Sequence, residues 1–450
     1  MAKPVMISVS GIRGIIGQGL TPELLVQYSS AAGTYYGKGK VLVGRDSRVT
    51  GEMVKNAVFC GLQSVGCSPV DLGICPTPTV ELAVQDSDVV GGVIITASHN
   101  PIEWNALKLL NSKGLFLDQE EGEQIKEIIS SHSYSFSQWN EIGKPERFKG
   151  AVKEHIKKIL NLKYIKVPDI RKRKFKVAYD CVNGAGGAIL PDLLKELGCK
   201  VFPLNQEMSG MFAHNPEPVP QNLNQLSALV LNKKADIGFA VDPDVDRLAI
   251  VAENGEPLGE EYTVTLAAGF ILSKIKSNVV VNLSTTRAVD DIARQAGVKC
   301  FRTPVGEAHV VKKMLSVHAA VGGEGNGGVI LPELHPGRDA PVALALTLQA
   351  LLEHGGAVSE LYQTLPRYVI TKKKIQIDKK NPDFILEQVI NNHKDQKIDL
   401  SDGVRIEWAR KWAHIRKSNT EPIIRVVAEA ENRDQSEKLA NAILDEINNI

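Results

Sequence analysis

Three aspartates alternate with other residues in the segment Asp242-Pro-Asp-Val-Asp-Arg247. Side chains at every second position of an extended segment point to the same side, so the three carboxylates would lie together. A cation among them relieves their mutual repulsion, and carboxylate oxygens favour Mg²⁺ or Ca²⁺ over softer metals. The segment therefore indicates a divalent-cation site. A solvated acidic turn is the alternative that the composition alone leaves open.

An EF-hand calcium loop is a second alternative for this segment, because carboxylates fill its first, third and fifth positions and Glu253 fills its twelfth. The sixth position, however, is Arg247, where the sharp turn of that loop needs glycine. The flanking residues are strand-like, and Asn254-Gly255 is typical of a hairpin. These features disfavour an EF-hand.

Ser98 lies in the segment Thr96-Ala-Ser-His-Asn-Pro101, directly after an apolar run. A serine beside His99, with Lys108 ten residues further along the chain, has the composition of an activated nucleophile. Asn100-Pro101 also favours a turn in its own right, so a simple turn explains the segment equally well.

Two more segments have the composition of ligand-binding loops, residues 416–425 (RKSNTEPIIR) and residues 323–328 (GEGNGG). The first offers guanidinium and hydroxyl groups, which suit a phosphate dianion. The second permits close backbone approach and offers Glu324 and Asn326 as partners for hydroxyl groups. A charged surface turn and a flexible glycine-rich loop are the respective alternatives. The glycine spacing matches neither a dinucleotide-binding fingerprint nor a P-loop.

The elements that would position these loops follow from the hydrophobic pattern. Short apolar runs alternate with amphipathic stretches over about the first 360 residues, which predicts α/β layers with parallel or mixed sheets. The predicted strands are Val41–Val43, Val93–Ile95, Lys176–Tyr179, Lys200–Phe202, Val279–Val281 and Val298–Phe301. The predicted helices are Met53–Val65, Leu190–Leu197 and Val289–Gln295. Three of the loops end apolar runs, within residues 91–100, 237–247 and 319–328. Loops at the carboxyl ends of strands are where α/β sheets bind their ligands.

The C-terminal stretch has a different pattern, which predicts a small α+β domain. Its predicted strands are Tyr368–Ile377, Gly403–Trp408, Ala413–Arg416 and Ile423–Ala428, and its predicted helix is Ser436–Ile447. Together with the three α/β units, this gives four predicted domains, at residues 1–155, 156–258, 259–367 and 368–450.

Composition limits the partners. The 450 residues include 53 Lys and Arg against 52 Asp and Glu, so a formal charge of +1 argues against nucleic acid or a membrane as partner. The basic run Arg171–Lys174 is predicted to be a solvated lead-in to a strand. The arginine-bearing turns GIRG (11–14) and GRDSR (44–48) are not specific by themselves. Six dispersed cysteines predict buried free thiols, and the lack of a signal peptide or membrane span predicts a cytoplasmic protein.

The four loops, taken together and in this order, resemble those of the α-D-phosphohexomutases over essentially the whole chain. Residues 322–340 (GGEGNGGVILPELHPGRDA) are most similar to the archaeal-type phosphoglucosamine mutases. The resemblance implies an α/β fold with three similar α/β domains and a C-terminal α+β domain around a central cleft. It also implies interconversion of hexose 6-phosphates and 1-phosphates through a phosphoserine and a bisphosphate intermediate.

The resemblance implies roles for individual residues. The catalytic residues would be Ser98, which carries the phosphoryl group, and Lys108, His99 and Arg247, with Arg13 next to the phosphoserine. The Mg²⁺ ligands would be Asp242, Asp244, Asp246 and an oxygen on Ser98. The substrate-binding residues would be Glu324, Asn326, Arg416, Ser418, Asn419, Thr420 and Arg425. The implied cofactors are Mg²⁺ and a hexose 1,6-bisphosphate, and the implied partner is a small sugar phosphate bound by a monomer or homodimer.

The sequence departs from many relatives at three places, one of which is Ala106, in the position of a common glycine before Lys108. Asn326 and Gly328 stand where a serine and a histidine are common in the sugar loop, and His318 and His335 are the nearest histidines. Pro243 and Val245 replace common glycines in the metal loop, which predicts a stiffer loop. We expect glucosamine 6-phosphate as substrate, with phosphoglucomutase or phosphomannomutase activity as the alternative. A sugar phosphatase and a non-catalytic sugar-phosphate binder are the alternatives from other classes.

Overall fold

The computed structural model describes residues 5–8, 11–377, 381–417 and 423–450. The first stretch of elements comprises β1 (Met6–Ser8), β2 (Gly11–Ile15), α1 (Pro22–Tyr36), β3 (Lys40–Arg45), α2 (Gly51–Ser64), β4 (Ser68–Ile74), α3 (Thr77–Gln85), β5 (Gly91–Ile95), β6 (Trp104–Asn111), α4 (Gln119–Ser131) and β7 (Glu146–Arg147). The second comprises α5 (Ala151–Leu160), α6 (Val167–Arg173), β8 (Lys176–Asp180), α7 (Leu190–Glu196), β9 (Lys200–Leu204), α8 (Asn224–Lys233), β10 (Ile237–Val241) and β11 (Leu248–Ala252).

The third stretch comprises α9 (Glu261–Lys274), β12 (Val279–Asn282), α10 (Ala288–Gln295), β13 (Cys300–Thr303), α11 (Glu307–Val317), β14 (Val321–Glu324), β15 (Gly328–Leu331), β16 (His335–Arg338), α12 (Ala340–His354) and α13 (Val358–Gln363). The fourth comprises β17 (Val369–Gln376), α14 (Pro382–Asn392), β18 (Lys397–Asp399), β19 (Val404–Glu407), β20 (Trp412–Lys417), β21 (Ile423–Ala430) and α15 (Arg433–Asn449).

The described chain forms two compact units. The first contains the residues up to Thr263 together with Gly327–Leu361, and the second contains Val264–Asn326 and Tyr362–Ile450. Among the described residues, no helix combines the length and the apolar character needed to cross a bilayer.

Two sheets organise the first unit. One has the order β1-β2-β6-β5-β3-β4-β7, with parallel pairs around β3 and an antiparallel β5–β6 pair. The other has the order β11-β10-β8-β9, in which β10 is parallel to β8 and antiparallel to β11. Every residue of β10 and β11 is buried, as their uninterrupted apolar sequence predicts. Helix α12 packs against β11 and is buried from Ala340 to Leu351.

The second unit contains a parallel trio and an antiparallel sheet. Strand β12 lies between β13 and β14 and is parallel to both. The C-terminal sheet has the order β17-β21-β20-β19-β18, and its apolar face packs on α14 and α15. This α+β arrangement is the one predicted for the C-terminal stretch.

Two local predictions were confirmed only in part: residues 171–174 are exposed, as predicted for a solvated segment, and the cysteines are free thiols. The basic run Arg171–Lys174 forms the end of helix α6, where Lys174 adopts the left-handed conformation that terminates it. Cations are favourable at a helix C-terminus, which explains why four of them are tolerated there. The cysteines are free thiols as predicted, but Cys60 is exposed and two others are half-buried.

Candidate active site

Ser98 lies in the loop that follows β5, at the end of a strand paired in parallel with β3. Its backbone has φ +50°, a left-handed conformation that is uncommon for serine. Its Oγ donates a hydrogen bond to Asp242 Oδ2 at 3.0 Å and lies 3.3 Å from His99 Nδ1. The loops after β5 and after β10 therefore meet at this serine.

The segment 242–247 joins β10 to β11 and is tightly anchored. Val245 has φ +63°, which is strained for a β-branched residue and explains why glycine suits this position. The Thr77 amide donates to the Asp244 carbonyl at 2.8 Å, and the Ala340 amide donates to the Val245 carbonyl at 3.3 Å. The neighbouring elements α3 and α12 thus fix the loop in place.

The three aspartates of this loop have the donor set of a hard divalent cation. Their carboxylate oxygens lie within 4.8 Å of one another, and all three side chains are buried. Asp244 Oδ1 and Asp246 Oδ1 are buried without a hydrogen-bond partner among the described residues. Two unpartnered buried carboxylate oxygens are costly unless a cation binds them, so these residues fit the predicted metal.

The Oδ2 atoms of Asp244 and Asp246 accept hydrogen bonds from three other side chains. Asp244 Oδ2 accepts hydrogen bonds from Thr77 Oγ1 and Lys108 Nζ, both at 2.8 Å. Asp246 Oδ2 accepts one from Arg338 Nη2 at 2.6 Å. Thr77 and Arg338 were not predicted as site residues. Thr77 lies in none of the segments singled out in the sequence, and Arg338 lies in the segment 322–340 but was given no role there.

Burial and charge set the protonation of these groups. Burial and the charges of Asp246 and Asp244 raise the pKa of Asp242 well above its usual range. Burial opposes ionisation of Asp244 too, but Lys108 holds the pKa of that carboxyl below its usual range. Burial acts to lower the pKa of Lys108, yet Asp244 and Asp246 raise it overall. Lys108 is therefore an ammonium group in this arrangement.

The remaining predicted residues around Ser98 also lie in the first unit. Burial, with Arg247 as the next largest cause, lowers the pKa of His99 to about 2, so the imidazole is neutral. Arg13 donates to Asn100 Oδ1 at 2.8 Å, beside the serine. Arg247 lies 3.6 Å from Glu217 Oε1.

Glu324 and Asn326, predicted to bind sugar, lie in the second unit at the end of β14. Glu324 is buried, and its Oε1 accepts hydrogen bonds from Asn282 Nδ2 at 2.7 Å and from the Gly306 amide at 3.0 Å. These bonds fix the direction of the carboxylate. Asn282 lies at the end of the adjacent parallel strand β12. Asn282 and Glu324 therefore lie at the carboxyl ends of neighbouring strands, where α/β sheets bind ligands.

Arg416 and Arg425, predicted to bind phosphate, face each other across β20 and β21. Arg425 also faces Lys374 across β21 and β17, which places three cations side by side on one sheet. Like charges directly opposite one another destabilise a sheet, and an anion bound to them relieves the repulsion. Arg416 Nε lies 2.9 Å from Asp402 Oδ2. The predicted partners Ser418, Asn419 and Thr420 lie outside the described residues.

His318 and His335 are the histidines nearest to the sugar loop in the sequence. His318 is exposed at the C-terminal cap of α11. His335 is buried in the first unit, where it and His155 both pair with Asp339 Oδ2, at 3.0 and 2.8 Å. Lys374 was not predicted as a site residue. Its position opposite Arg425 follows from the pairing of β17 with β21, which the sequence does not show.

Four family profiles match the chain in order, and together they cover most of it. They describe the phosphoglucomutase/phosphomannomutase alpha/beta/alpha domains I, II and III and the C-terminal domain, at residues 6–135, 153–255, 259–368 and 376–446. The chain belongs to the phosphoglucomutase/phosphomannomutase family. The predictions of a phosphohexomutase, an intramolecular phosphotransferase, and of its α/β fold class are thereby confirmed.

Relatives within the phosphoglucomutase/phosphomannomutase family carry two names. A phosphoglucomutase/phosphomannomutase of Thermococcus kodakarensis is 38% identical over 437 residues, covering 95% of this chain and 94% of the relative. A probable phosphoglucosamine mutase of Methanopyrus kandleri is 35% identical over 441 residues, covering 97% and 96%. The crystal structure of a family protein from Burkholderia thailandensis is similar over 98% of both chains, with a TM-score of 0.86 and 25% identity.

Proposed function

We propose that this protein interconverts hexose 6-phosphates and hexose 1-phosphates by passing a phosphoryl group through Ser98. The observation that carries the proposal is the position of Ser98 Oγ, 3.0 Å from a buried triad of aspartates whose composition suits a divalent cation. Phosphoryl transfer depends mainly on positioning and on stabilising negative charge. A buried serine beside a cation site and several basic groups meets both needs.

Asp242, Asp244 and Asp246 are the residues that would hold Mg²⁺, with an oxygen on Ser98 completing the donor set. Bound there, Mg²⁺ supplies positive charge that stabilises the migrating phosphoryl group. Arg247 and Arg13 add positive charge near Ser98, since both act electrostatically on the neighbouring His99. His99 is neutral and can hydrogen-bond to the serine oxygen or its phosphate without adding charge.

Lys108 is the proposed acid/base residue. The bond between phosphorus and the Ser98 oxygen breaks as a bond from phosphorus to the sugar hydroxyl oxygen forms, so the serine oxygen must gain a proton and the hydroxyl must lose one. As an ammonium paired with Asp244, Lys108 can supply the proton to the departing serine oxygen. To accept the proton of an attacking sugar hydroxyl, it must first give up its own, which a weaker pairing with Asp244 would favour.

The proposed substrate is glucosamine 6-phosphate, which would be converted to glucosamine 1-phosphate. The similarity of residues 322–340 to archaeal-type phosphoglucosamine mutases supports this choice, as does the name of the Methanopyrus relative. The Thermococcus relative supports phosphoglucomutase or phosphomannomutase activity as the second candidate. In either case Glu324 and Asn326 would contact the sugar. Arg416, Arg425 and the residues Ser418, Asn419 and Thr420 would bind the non-reacting phosphate. A hexose 1,6-bisphosphate would be the intermediate.

The same proposal includes a division of the chain into four domains, at residues 1–155, 156–258, 259–367 and 368–450. It also includes a monomeric or homodimeric state.

The decisive experiment is Ser98→Ala, assayed for hexose phosphate isomerisation with Mg²⁺ and a hexose 1,6-bisphosphate. We expect turnover to be abolished, while Ser130→Ala, an exposed serine on α4, should behave as the wild type. Normal turnover of Ser98→Ala would refute the proposal. Release of inorganic phosphate without isomer by the wild type would favour a phosphatase, and absence of both reactions would favour a binder.

The substrate is tested by comparing kcat/KM for the phosphates of glucosamine, glucose and mannose. We expect glucosamine phosphate to give the largest value. A larger value for glucose or mannose phosphate would replace the first candidate with the second.

A further inference from the structure

Arg48 follows strand β3 and is one of the largest fully buried side chains of the protein. A guanidinium group has five N–H donors in a fixed plane. Here Nε donates to Asp46 Oδ2 at 3.1 Å, and each terminal nitrogen donates to two backbone carbonyls. Those four carbonyls belong to Ser98 (2.6 Å), Asn100 (2.7 Å), Pro101 (2.6 Å) and Trp104 (3.0 Å).

Three of the four carbonyls lie in the loop that carries Ser98, and the fourth, that of Trp104, lies directly after it at the start of β6. A carbonyl that is shielded from water needs a donor, and loop carbonyls receive none from regular sheet pairing. The bond from Arg48 to the Ser98 carbonyl is buried, and the other three are part-buried. The left-handed backbone of Ser98 adds a local conformational cost that surrounding contacts must offset. Arg48 satisfies the carbonyl of Ser98 itself and three others within the next six residues, so one side chain fixes the path of the whole loop.

Asp46 orients both Arg48 and the start of the loop. Its Oδ1 accepts from the Arg48 amide at 2.9 Å, and its Oδ2 accepts from Thr96 Oγ1 at 2.6 Å. Thr96 Oγ1 in turn accepts from the Ser98 amide at 2.9 Å. Ser98 is therefore held at its amide through Thr96 and at its carbonyl by Arg48, with Asp46 common to both.

The opposite side of the guanidinium is closed by the segment that includes Phe212, whose ring centre lies 4.9 Å from the Arg48 guanidinium carbon. Gly210 permits this approach: it has φ +69°, and a Cβ there would lie 2.1 Å from the Ser47 carbonyl oxygen. Ser47 Oγ also donates to the Asn183 carbonyl at 2.7 Å. Ser47 and Arg48 thus contact residues 183–212, the part of the chain between β8 and β10.

We propose that Arg48 is a positioning residue for phosphoryl transfer, which keeps Ser98 Oγ aligned with the aspartate triad. The inference rests on the proposed function of Ser98 and deepens it. Arg48 contacts no reacting atom, so its effect is on the geometry of the serine. Lysine cannot replace it, because three donors on a flexible stem cannot satisfy five acceptors arranged around a plane.

The test compares Arg48→Lys and Arg48→Ala with the wild type in the full-length protein. We expect kcat to fall about 100-fold, with KM for the sugar phosphate changed much less, because a displacement of about 1 Å suffices for such a loss. Guanidinium chloride, added well below unfolding concentrations, should partly restore kcat of Arg48→Ala but not of Arg48→Lys, and methylammonium chloride should restore neither. Arg171→Lys, at an exposed arginine that donates to Glu196, is the matched control and should be fully active.

Phe212→Leu is the milder variant, in case the arginine variants fail to fold. It keeps every hydrogen bond of Arg48, and we expect a several-fold loss of kcat at unchanged KM. Wild-type kcat in folded Arg48→Lys would overturn the positioning role, as would a loss in Arg48→Ala that guanidinium does not reduce in folded protein. If the arginine variants do not fold, wild-type kcat in Phe212→Leu would overturn it. If Ser98→Ala retains turnover, the proposed function itself fails; if Ser98→Ala is inactive while Arg48→Lys is normal, only the inference about Arg48 fails.

Discussion

The aspartates that adjoin Lys108 use their two carboxylate oxygens differently. The Oδ2 atoms of Asp244 and Asp246 are held by protein donors, whereas their Oδ1 atoms have no partner among the described residues. Hydrogen bonds to the outer oxygen of a ligating carboxylate orient it and commonly change metal affinity 10- to 100-fold. Thr77 and Arg338 are therefore expected to act on metal binding.

Thr77→Val removes the hydroxyl that holds Asp244 and keeps the volume of the side chain. We expect it to weaken Mg²⁺ binding by about 10-fold or more, because the carboxylate loses an orienting partner. Calorimetric titration with Mg²⁺ measures this without turnover. Thr79→Val is the control: Thr79 lies on the same helix, but its hydroxyl pairs with His155 Nδ1. Equal affinity of Thr77→Val and the wild type would contradict the role of Thr77.

Among individual residues, the sequence indicated the cation site from the three aspartates and the nucleophile from Ser98, each separately. Their proximity could not be derived from spacing, because Ser98 and Asp242 are 144 positions apart and meet only after two sheets have packed. The family resemblance provided that link. Arg48 was visible in the GRDSR turn, but its five acceptors are mostly backbone carbonyls, which carry no sequence signal.

Strands β17, β21 and β20 place Lys374, Arg425 and Arg416 in one row. Arg425→Ala should raise KM for the sugar phosphate about 10- to 100-fold with a smaller change in kcat, because a hydrogen bond to a charged group is lost. Steady-state kinetics measure this. Lys373→Ala is the control, since Lys373 lies on the other face of β17 and contacts Asn441 on α15. An unchanged KM for Arg425→Ala would count against phosphate binding by this row.

The end of strand β8 provides a pH-dependent contact. His214 Nε2 lies 2.9 Å from Asp180 Oδ2 and Nδ1 lies 2.8 Å from the Asn215 carbonyl, so both ring nitrogens face acceptors. The hydrogen bond to Asp180 raises the pKa of His214. A pKa raised by folding stabilises the protein below the unfolded-state value and loses that effect as the pH rises through the folded-state value.

His214→Gln should therefore lower Tm more at about pH 5.5 than at about pH 8.5, since the unperturbed pKa of histidine is about 6.5. Thermal unfolding at the two pH values measures the difference. His309→Gln, at an exposed histidine on α11, should show no such dependence. A larger effect of His214→Gln at the higher pH would reverse the sign and refute the argument.

The elements that periodicity predicted lie within a few residues of their positions in the structure. The predicted helix Met53–Val65 is α2 (Gly51–Ser64), and the predicted strand Val279–Val281 is β12 (Val279–Asn282). In such elements the apolar residues recur with the spacing of a helix or occur as a short run typical of a buried strand, so the sequence reveals them. The prediction failed for α6, whose sequence VPDIRKR is short and buries only Ile170. Proline at its start and cations at its end make it a helix, and a hydrophobic pattern does not detect these signals.

For the whole molecule, the two compact units separate the predicted metal ligands from the cationic row. Asp242, Asp244 and Asp246 belong to the first unit, and β17, β20 and β21 belong to the second. A ligand stabilises the folded form that binds it. Mg²⁺ is thus expected to slow amide hydrogen exchange in β10, β11 and α3 and to leave the C-terminal sheet unchanged.

Hydrogen exchange followed by mass spectrometry, with and without Mg²⁺, measures this effect by segment. Asp244→Asn is the control and should lose the protection in the first unit. Equal slowing in β10 and in β20 would show that the metal acts on the protein as a whole, and would contradict a site confined to the aspartate triad.

The third stretch of the chain contributes to both units, and the division falls inside its glycine-rich loop, between Asn326 and Gly327. Gly327 has φ +92°, and a Cβ there would lie 2.7 Å from the Leu248 carbonyl oxygen. Beyond it, α12 packs against β11 and belongs to the core of the N-terminal half. A hybrid protein that imports residues 259–367 from a relative would therefore set a foreign helix against the native β11. A graft that begins before α9 (Glu261–Lys274) and ends at Asn326 keeps the packing of α12 on β11 native. If Glu324 and Asn326 bind the sugar as proposed, we expect substrate preference to follow such a graft.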